Sequence, residues 1–292
     1  MIKFGLVTVL YNGVDVLDGF FKSLAAQTYL NWHLEVIDNS PGEESMNRAQ
    51  ALSAQYGLAD VHFTRNPDNF GVAKGNNQGI RNCLEFGCDY VILLNNDIEF
   101  PEHLFSGIAA EIEKSGYEIL VPKIYYFDTG RIWYGGGRIN VFSATVRHFG
   151  ESQEDCTRYQ TDCFTGYAPT CFMAIKSTVF SKVGLMDERY FVYYDDTDFA
   201  LRCLRAGIMV RYLGMLALHH KVSSSTGGGL SKFSIYYYNR NRLFFVRKNS
   251  RFFVYPVAII WYLATRFYKY CVYSSDNKAV LTKAVADGFR MR

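Results

Sequence analysis

The 292-residue sequence predicts an α/β fold built on a mostly parallel central sheet flanked by helices. Several apolar runs are rich in β-favouring residues and stop abruptly in polar ones, which is typical of strands buried on both faces. These runs alternate with segments of helical periodicity, the pattern of strands joined by crossover helices. Hydrophobic residues make up 49% of the chain, so a large core is expected and global disorder is excluded.

The clearest strand signal is Tyr-Val-Ile-Leu-Leu at residues 90–94, which ends in Asn95, Asn96 and Asp97. Ligands of open α/β sheets bind beyond the carboxyl ends of the strands. A hard oxygen ligand placed there suits a divalent cation and a substrate phosphate. The alternative is a polar strand end and turn without a ligand, since Asn and Asp are common in turns.

Three further strands precede this one, at residues 3–10, 32–37 and 61–64. Helical periodicity indicates helices at residues 14–26 and 43–56 between them. Because the carboxyl ends of parallel strands share one edge, we expect Leu10, Asp38 and Asp97 to lie along it.

A glycine-rich stretch, residues 71–79, opens the next helix, which continues through residue 86. Glycine lets backbone approach a ligand closely, and the amide groups at a helix start favour phosphate. A helix entry without a ligand remains the alternative. The stretch lacks the Gly-x-Gly-x-x-Gly spacing after the first strand, which excludes a nicotinamide oxidoreductase of the usual type.

Later elements are a helix at residues 101–115, a strand at 119–127, and a strand at 168–175 that runs into a helix at 177–183. Residues 140–162 are expected to form a mobile insertion over the site. Asp195, Asp196 and Asp198 then open another helix. A structural role is one interpretation, since acids cap a helix start and interact favourably with the helix dipole, and Asp198 can form an ion pair with Arg202. A catalytic role is the other, because crowded carboxylates raise each other's pKa and can act as a base.

Two histidines, His219 and His220, follow a short apolar strand. Neutral histidine is a common metal ligand, although a structural role at a strand end is the alternative. The serine- and glycine-rich residues 223–229 come next and are expected to form a lid, a phosphate loop or a plain linker.

The composition of the chain limits which classes of binding partner and which cellular compartment are expected. A net charge of +3 is too small to predict nucleic-acid binding. The seven cysteines include no Cys-x-x-Cys pair, which favours a reduced, cytoplasmic chain over a zinc or disulfide framework. The first residues predict a strand and not a signal peptide.

The C-terminal residues 231–292 are basic and aromatic. Arg240 and Arg242 are predicted to reach a diphosphate through charge-assisted hydrogen bonds. The uncharged stretch 252–265 is shorter than the ~20 residues of a spanning helix. The longer segment 252–273 also contains Arg266 and Lys269, and this mixture of aromatic and basic residues predicts a helix at the inner membrane interface, with packing against the rest of the protein as the open alternative.

Six loose motifs occur in the order found in family 2 glycosyltransferases, and the chain resembles the rhamnosyltransferase-like branch that builds bacterial O-antigen, capsule and other surface polysaccharides. The motifs are Val9-Leu10-Tyr11-Asn12, Ile37-Asp38-Asn39-Ser40, Asn69-Phe70-Gly71 to Asn76, Asn95-Asn96-Asp97, Asp195-Asp196 with Arg202, and His220-Lys221-Val222-Ser223. This resemblance implies a GT-A fold with a Rossmann-like sheet. It divides residues 1–230 into a nucleotide-binding half (1–98) and an acceptor half (99–230), followed by C-terminal helices.

The resemblance also implies an inverting transfer from a UDP- or dTDP-sugar to a glycan or lipid-linked glycan, with Mg²⁺ or Mn²⁺. Asp97 and His220 would hold the metal, with His219 as the alternative, and Asn95 replaces the family's first acid. Asp196 would be the base, with Asp195 next to it. The predicted donor-binding residues are Leu10, Tyr11, Asn12, Asp38, Asn69, Gly71, Lys74, Asn76, Asn95, Asn96, Arg240 and Arg242. A sugar-nucleotide-binding protein without activity is the rival hypothesis, against which Asp97 and Asp196 argue.

Overall fold

The structure, a computed structural model, describes residues 1–222 and 231–291. Within these residues ten strands form one sheet and two more form a separate hairpin. The strands are β1 (Phe4–Leu10), β2 (Trp32–Asp38), β3 (Val61–Arg65), β4 (Tyr90–Leu94), β5 (Ile98–Glu99), β6 (Ile119–Tyr126), β7 (Ile132–Tyr134), β8 (Gly137–Asn140), β9 (Thr145–His148), β10 (Cys163–Thr165), β11 (Phe172–Lys176) and β12 (Val210–His220). The helices are α1 (Leu17–Ala25), α2 (Glu44–Gln55), α3 (Gly71–Glu85), α4 (Leu104–Ser115), α5 (Ser177–Val183), α6 (Asp195–Arg205), α7 (Lys232–Asn249), α8 (Tyr255–Val272) and α9 (Ser275–Arg290).

The main sheet has the order β10-β12-β6-β11-β4-β1-β2-β3, and the predicted mostly parallel sheet flanked by helices is confirmed. Strands β1 to β4 are parallel to one another, as their alternation with helices predicts. β11 is the exception at the centre, because it lies antiparallel between β4 and β6. The residues of β1, β2 and β4 are almost all buried, which explains their continuous apolar runs.

Strand ends gather at one edge of this sheet. Leu10 pairs with Asp38 where β1 and β2 end, and Asp97 lies three residues beyond the end of β4. The short strand β5 then pairs antiparallel with the end of β12, so that Ile98 lies opposite His220. This pairing brings His220 next to Asp97 although 123 residues separate them in the chain.

Helix α3 packs unusually close to β1. A Cβ atom on Gly75 would lie 2.9 Å from a Val9 methyl group, and one on Gly79 would lie 2.3 Å from a methyl group of Val7. Both glycines are therefore required by helix–strand packing. They form part of the glycine-rich stretch, which the sequence alone explains equally well by a bound ligand or by close packing.

The C-terminal helices differ in how they are packed. Ten residues of α7 are buried, and its apolar side chains form a core cluster with Tyr190, Tyr194 and Leu201. Only Ala258 and Tyr262 of α8 are buried. Packing against the rest of the protein, the open alternative for these helices, therefore holds for α7, whereas most aromatic side chains of α8 stay exposed.

The segment 140–162 is anchored at several points, contrary to the expectation of a mobile insertion. The buried Lys123 forms an ion pair with Asp155 at 2.7 Å, and the Tyr212 hydroxyl donates to the Tyr159 carbonyl at 2.7 Å. The hairpin β8–β9 precedes these anchors and reaches the sheet edge described above. The proposed domain boundary at residue 230 lies outside the described residues, and the division into two halves stays a prediction.

Candidate active site

A cleft of about 920 Å³ opens where β1, β4 and β12 end. Much of its lining is aromatic, and polar side chains converge on it from several elements, as expected of a small-molecule site. The predicted site residues that line the cleft are Tyr11, Asn69, Gly71, Asn95, Asn96, Asp97, Asp195, Asp196 and His220.

Asp97 and His220 form the first polar pair of the cleft. The His220 Nε2 atom lies 3.1 Å from Asp97 Oδ1, and both residues are more than nine-tenths buried. Burial lowers the pKa of His220, but the neighbouring Cys171 and the Asp97 carboxylate raise it to about 10. Without a metal ion, the raised pKa favours a protonated His220, which can donate a hydrogen bond to Asp97.

The pair fits a divalent cation that shares its ligands with a substrate. The described residues contain no cluster of three or more His, Cys, Asp or Glu side chains able to hold a metal alone. Mg²⁺ is commonly held by one or two carboxylates, with substrate phosphates and water completing its shell. A cation bound here would displace the proton that His220 carries, because a ligating imidazole must be neutral.

The acids at the start of α6 form the second polar group. Asp196 faces the cleft, and its carboxylate accepts hydrogen bonds from the Tyr167 hydroxyl and from the Thr197 backbone N–H, the latter at 2.5 Å. Burial raises the pKa of Asp196, and these hydrogen bonds counteract the rise. Burial and the adjacent Asp196 raise the pKa of Asp195 to about 8, and its Oδ2 atom is buried without a hydrogen-bond partner in the described part of the chain.

Strained backbone leads into this acidic cluster. Phe191, Tyr193 and Tyr194 have φ angles of 67°, 61° and 69°, which cost energy for residues with a side chain. The buried Asn241 amide stabilises the segment by donating to the carbonyl groups of Tyr190, Val192 and Tyr193 at 2.6–3.0 Å. Helix α7 thus holds the strained segment that orients the acids.

The backbone amide groups at the start of α3 donate hydrogen bonds to acceptors within the protein. The Gly71 N–H donates to the Asn69 side chain at 2.9 Å, and the Val72 N–H donates to the Phe191 carbonyl at 2.6 Å. A Cβ atom on Gly71, whose φ is +79°, would lie 2.5 Å from that same carbonyl oxygen. Both amides therefore have acceptors within the protein, and the predicted phosphate site on them stays a prediction without support from this geometry.

Two of the predicted donor-binding residues on α3 also point elsewhere. The Lys74 ammonium lies 3.6 Å from the centre of the Phe70 ring, and the buried Asn76 amide faces the Met186 sulfur at 3.9 Å. Neither side chain lines the cleft. Both side chains contact other parts of the protein, and their assignment to the donor stays a prediction without support from this geometry.

Three predicted donor-binding residues at the ends of β1 and β2 do not line the cleft. Leu10 is fully buried in the core, and the Asn12 backbone N–H donates to the Ser40 hydroxyl at 3.0 Å. Asp38 is also fully buried, with Oδ1 accepting the Ser40 N–H at 2.9 Å and Oδ2 lacking a hydrogen-bond partner among the described residues. Its contact with a base or ribose stays a prediction, and Oδ2 is the atom available for it.

The two predicted diphosphate-binding arginines do not reach the cleft. The Arg240 guanidinium donates to the Tyr190 carbonyl at 2.8 Å, and Arg242 donates to the Ser143 carbonyl at 2.8 Å. These bonds attach α7 to the strained segment and to the β8–β9 hairpin. The structure therefore gives no support to the assignment of both residues to the donor, which stays a prediction.

The structure places His220, and not His219, at the cleft. His219 is exposed, and its ring stacks on Tyr125 with 5.5 Å between ring centres. Residues 223–229, predicted as a lid, phosphate loop or linker, lie outside the described residues.

Tyr167 and His148 are site residues that sequence reasoning missed. Both line the cleft, and their rings stack with 5.7 Å between centres, next to Asp196. Neither stands in a local motif. Only the fold brings the β8–β9 hairpin and the segment before β11 together.

Residues 6–181 match the family model described as glycosyl transferase family 2. A dTDP-rhamnosyl transferase of Shigella flexneri, RfbF, is 27% identical over 208 residues. That alignment covers 66% of this chain and 66% of the relative, so the chain spans slightly less than two thirds of its length.

Two solved structures show the same fold at low sequence identity. GalNAc-T7 with UDP, GalNAc and Mn²⁺ matches at a TM-score of 0.65 and 15% identity, covering 85% of this chain and 48% of that one. S. aureus TarS residues 1–349 with UDP-GlcNAc match at 0.62 and 12% identity, covering 99% and 81%. These neighbours are GT-A glycosyltransferases, so the GT-A prediction is confirmed.

Proposed function

Because this chain belongs to glycosyl transferase family 2, we propose that it transfers a sugar, with inversion, from a nucleoside-diphosphate sugar to a glycan hydroxyl. The observation that carries the proposal is one cleft with Asp97 and His220 among its lining and with Asp196 facing into it. Such a cleft offers a cation site for the diphosphate and a carboxylate for the acceptor. A sugar-nucleotide-binding protein would have no use for Asp196.

The donor half of the reaction uses Asp97 and His220. They would hold Mg²⁺ or Mn²⁺ against the diphosphate, and the ion would supply charge neutralisation for the leaving group. Asn95 and Asn96 add amide groups to the same edge, and the Asn95 amide lies 3.5 Å from His220 Nε2. The nucleotide proposed here is UDP or dTDP, since TarS binds UDP-GlcNAc and RfbF is a dTDP-rhamnosyl transferase.

The acceptor half uses Asp196. An acceptor hydroxyl is a weak nucleophile until a carboxylate takes its proton in the transition state. Asp196 faces the cleft, and the Tyr167 and Thr197 hydrogen bonds fix its orientation. Attack from the face opposite the diphosphate inverts the anomeric centre.

The acceptor we propose is a glycan or lipid-linked glycan of a bacterial surface polysaccharide, such as O-antigen or capsule, built at the cytoplasmic face of the membrane. Rhamnose or another hexose is the proposed sugar, because RfbF is a rhamnosyl transferase. Aromatic residues around the cleft, including Trp133, Tyr193 and Tyr238, offer apolar faces for pyranose rings.

A screen of nucleotide sugars tests this function. We expect one UDP- or dTDP-sugar to raise the melting temperature with Mn²⁺ and to have little effect in excess chelator, because cation and diphosphate bind together. Proton NMR of the product formed from that donor should then show the inverted anomer. Stabilisation by no nucleotide sugar, or a product that retains the configuration, would contradict the proposal.

The pH dependence of transfer should depend on Tyr167. The groups that face Asp196 are Tyr167, Thr197, His148 and Asp195, and among them the Tyr167 hydrogen bond lowers the Asp196 pKa. In Tyr167→Phe this pKa is higher, and the base is ionised only at higher pH. We therefore expect the acidic limb of kcat to move upward by roughly one to two pH units, as for a lost hydrogen bond to a charged group.

Tyr125→Phe is the matched control for this shift. The Tyr125 hydroxyl also donates to a carboxylate, Asp155, at 2.7 Å, but it does not line the cleft. We expect its pH profile to equal that of the parent. If the acidic limb of the Tyr167→Phe profile does not move, Tyr167 does not set the pKa of the base.

A further inference from the structure

Helix α8 presents an apolar surface that the rest of the described chain leaves uncovered. Its outward side chains Val257, Ile260, Trp261, Phe267 and Tyr268 are 50–71% exposed, and we call them the α8 face. Two more phenylalanines, at positions 252 and 253, are 84% and 87% exposed just before the helix. Contiguous apolar surface of this kind marks an interaction site.

The inner side of the helix fixes the orientation of this face. The buried Tyr262 hydroxyl donates to the Asn239 carbonyl of α7 at 2.9 Å, and the Arg266 guanidinium donates to the Asn239 side chain. Ala258 packs into the core cluster between α7 and α6. The α8 face is therefore directed away from the protein by contacts on its opposite side.

The C-terminal segment is strongly basic, whereas the rest of the chain is acidic. Residues 231–292 contain twelve of the 31 Lys and Arg residues but only two of the 28 Asp and Glu residues, a formal charge of +10. The preceding 230 residues therefore carry −7. Arg251 and Lys269 are exposed cations near the α8 face in sequence, and Lys283 is an exposed cation of the following helix α9. The apolar surface thus lies in a strongly basic part of the protein.

We propose that the α8 face docks on a bilayer that contains anionic lipid, with its apolar side chains in the interfacial region and the surrounding cations on the headgroups. Amphipathic helices with aromatic and basic residues bind membranes in this way. A second copy of the chain is a poorer occupant, because pairing the two faces would bring two segments of charge +10 together. Among the described helices, none is long and apolar enough to cross a membrane.

The docked face lies close to the cleft. Trp261 contacts Phe142 at the tip of the β8–β9 hairpin, with 6.4 Å between ring centres, and Val146 of that hairpin lines the cleft. Four residues of extended chain span roughly 13 Å. This short distance brings the acceptor side of the cleft within reach of a sugar carried on a membrane lipid, an inference that rests on the proposed function.

Vesicle co-sedimentation of the full chain tests the docking. We expect the parent to pellet with phosphatidylcholine vesicles that contain 30% phosphatidylglycerol, to pellet less in pure phosphatidylcholine, and to dissociate as salt screens the cations. Trp261→Glu with Phe267→Glu should lower the bound fraction at least ~10-fold, because it places two anions on the apolar side. Both residues are at least half exposed, so folding should be kept.

The matched control carries the same two charges elsewhere. Leu30 and Met215 are 76% and 74% exposed, and Leu30→Glu with Met215→Glu should bind vesicles like the parent. Equal binding by both double variants, or no binding by the parent, would overturn the docking. A dimer in solution that only Trp261→Glu with Phe267→Glu dissociates would instead assign the face to a second copy. Transfer to a soluble acceptor tests the proposed function separately, and we expect it unchanged in the Trp261→Glu/Phe267→Glu variant.

Discussion

Asp196→Asn is expected to lower kcat by at least ~10²-fold while donor binding stays within about twofold of the parent, because a general base contributes on this scale. The amide is nearly isosteric. Its oxygen can accept the Thr197 N–H, and its NH₂ group can donate to the Tyr167 hydroxyl oxygen, so both contacts of the carboxylate are preserved. Initial rates at saturating donor and acceptor measure the effect.

Asp195→Asn is the control, and its expected result follows from the raised pKa of this acid. Burial and the adjacent Asp196 raise the pKa of Asp195, which favours its protonated form, and a neutral amide resembles that form. We expect an activity within severalfold of the parent at pH 7. A large loss in Asp195→Asn together with a parental rate in Asp196→Asn would assign the base to Asp195.

Asp97→Ala is expected to reduce transfer by ~10³-fold or more, the effect of losing several kcal/mol of charge stabilisation at the leaving group. The Asp97 carboxylate lies at the donor edge of the cleft and contacts His220. Excess chelator should inactivate the parent to a similar extent, and Mn²⁺ should restore the parent but not the variant. Transfer rates across a Mn²⁺ titration measure both effects.

The adjacent histidines provide the control for the metal site. His220→Ala should weaken activation by Mn²⁺, because His220 lines the cleft beside Asp97. His219→Ala should not, since His219 is exposed and stacks on Tyr125. Full activity of the parent in excess chelator would contradict the metal role and leave Asp97 as a structural partner of His220.

The sequence predicted the sheet edge well, because strands buried on both faces must be apolar throughout and can become polar only where they end. β1, β2 and β4 are such strands, and the polar residues that follow β4 do line the cleft. The pairing of Asp97 with His220 was also suggested by the family resemblance. It depends on β5 meeting the end of β12, a contact that no local pattern reveals.

Several predicted ligand contacts find no support in the structure for one physical reason. A residue type that suits a ligand suits a contact within the protein equally well. Glycines near the start of α3 admit the Phe191 carbonyl and the Val9 side chain, where a phosphate was expected. Arg240 and Arg242 bind carbonyl oxygens, which accept the same hydrogen bonds as a diphosphate. The exposure of α8 was undecided for a similar reason, since an apolar helix suits a protein core as well as a membrane.

We propose a division of roles within one cleft: Asp97 binds the donor, and Asp196 deprotonates the acceptor. Calorimetric titration of the donor, in Mn²⁺, into the parent, Asp196→Asn and Asp97→Ala tests this division most directly. The account predicts an unchanged Kd for Asp196→Asn and a Kd at least ~10-fold weaker for Asp97→Ala, on the scale at which metal-site substitutions act. Parental affinity in Asp97→Ala, or loss of donor binding in Asp196→Asn, would contradict it.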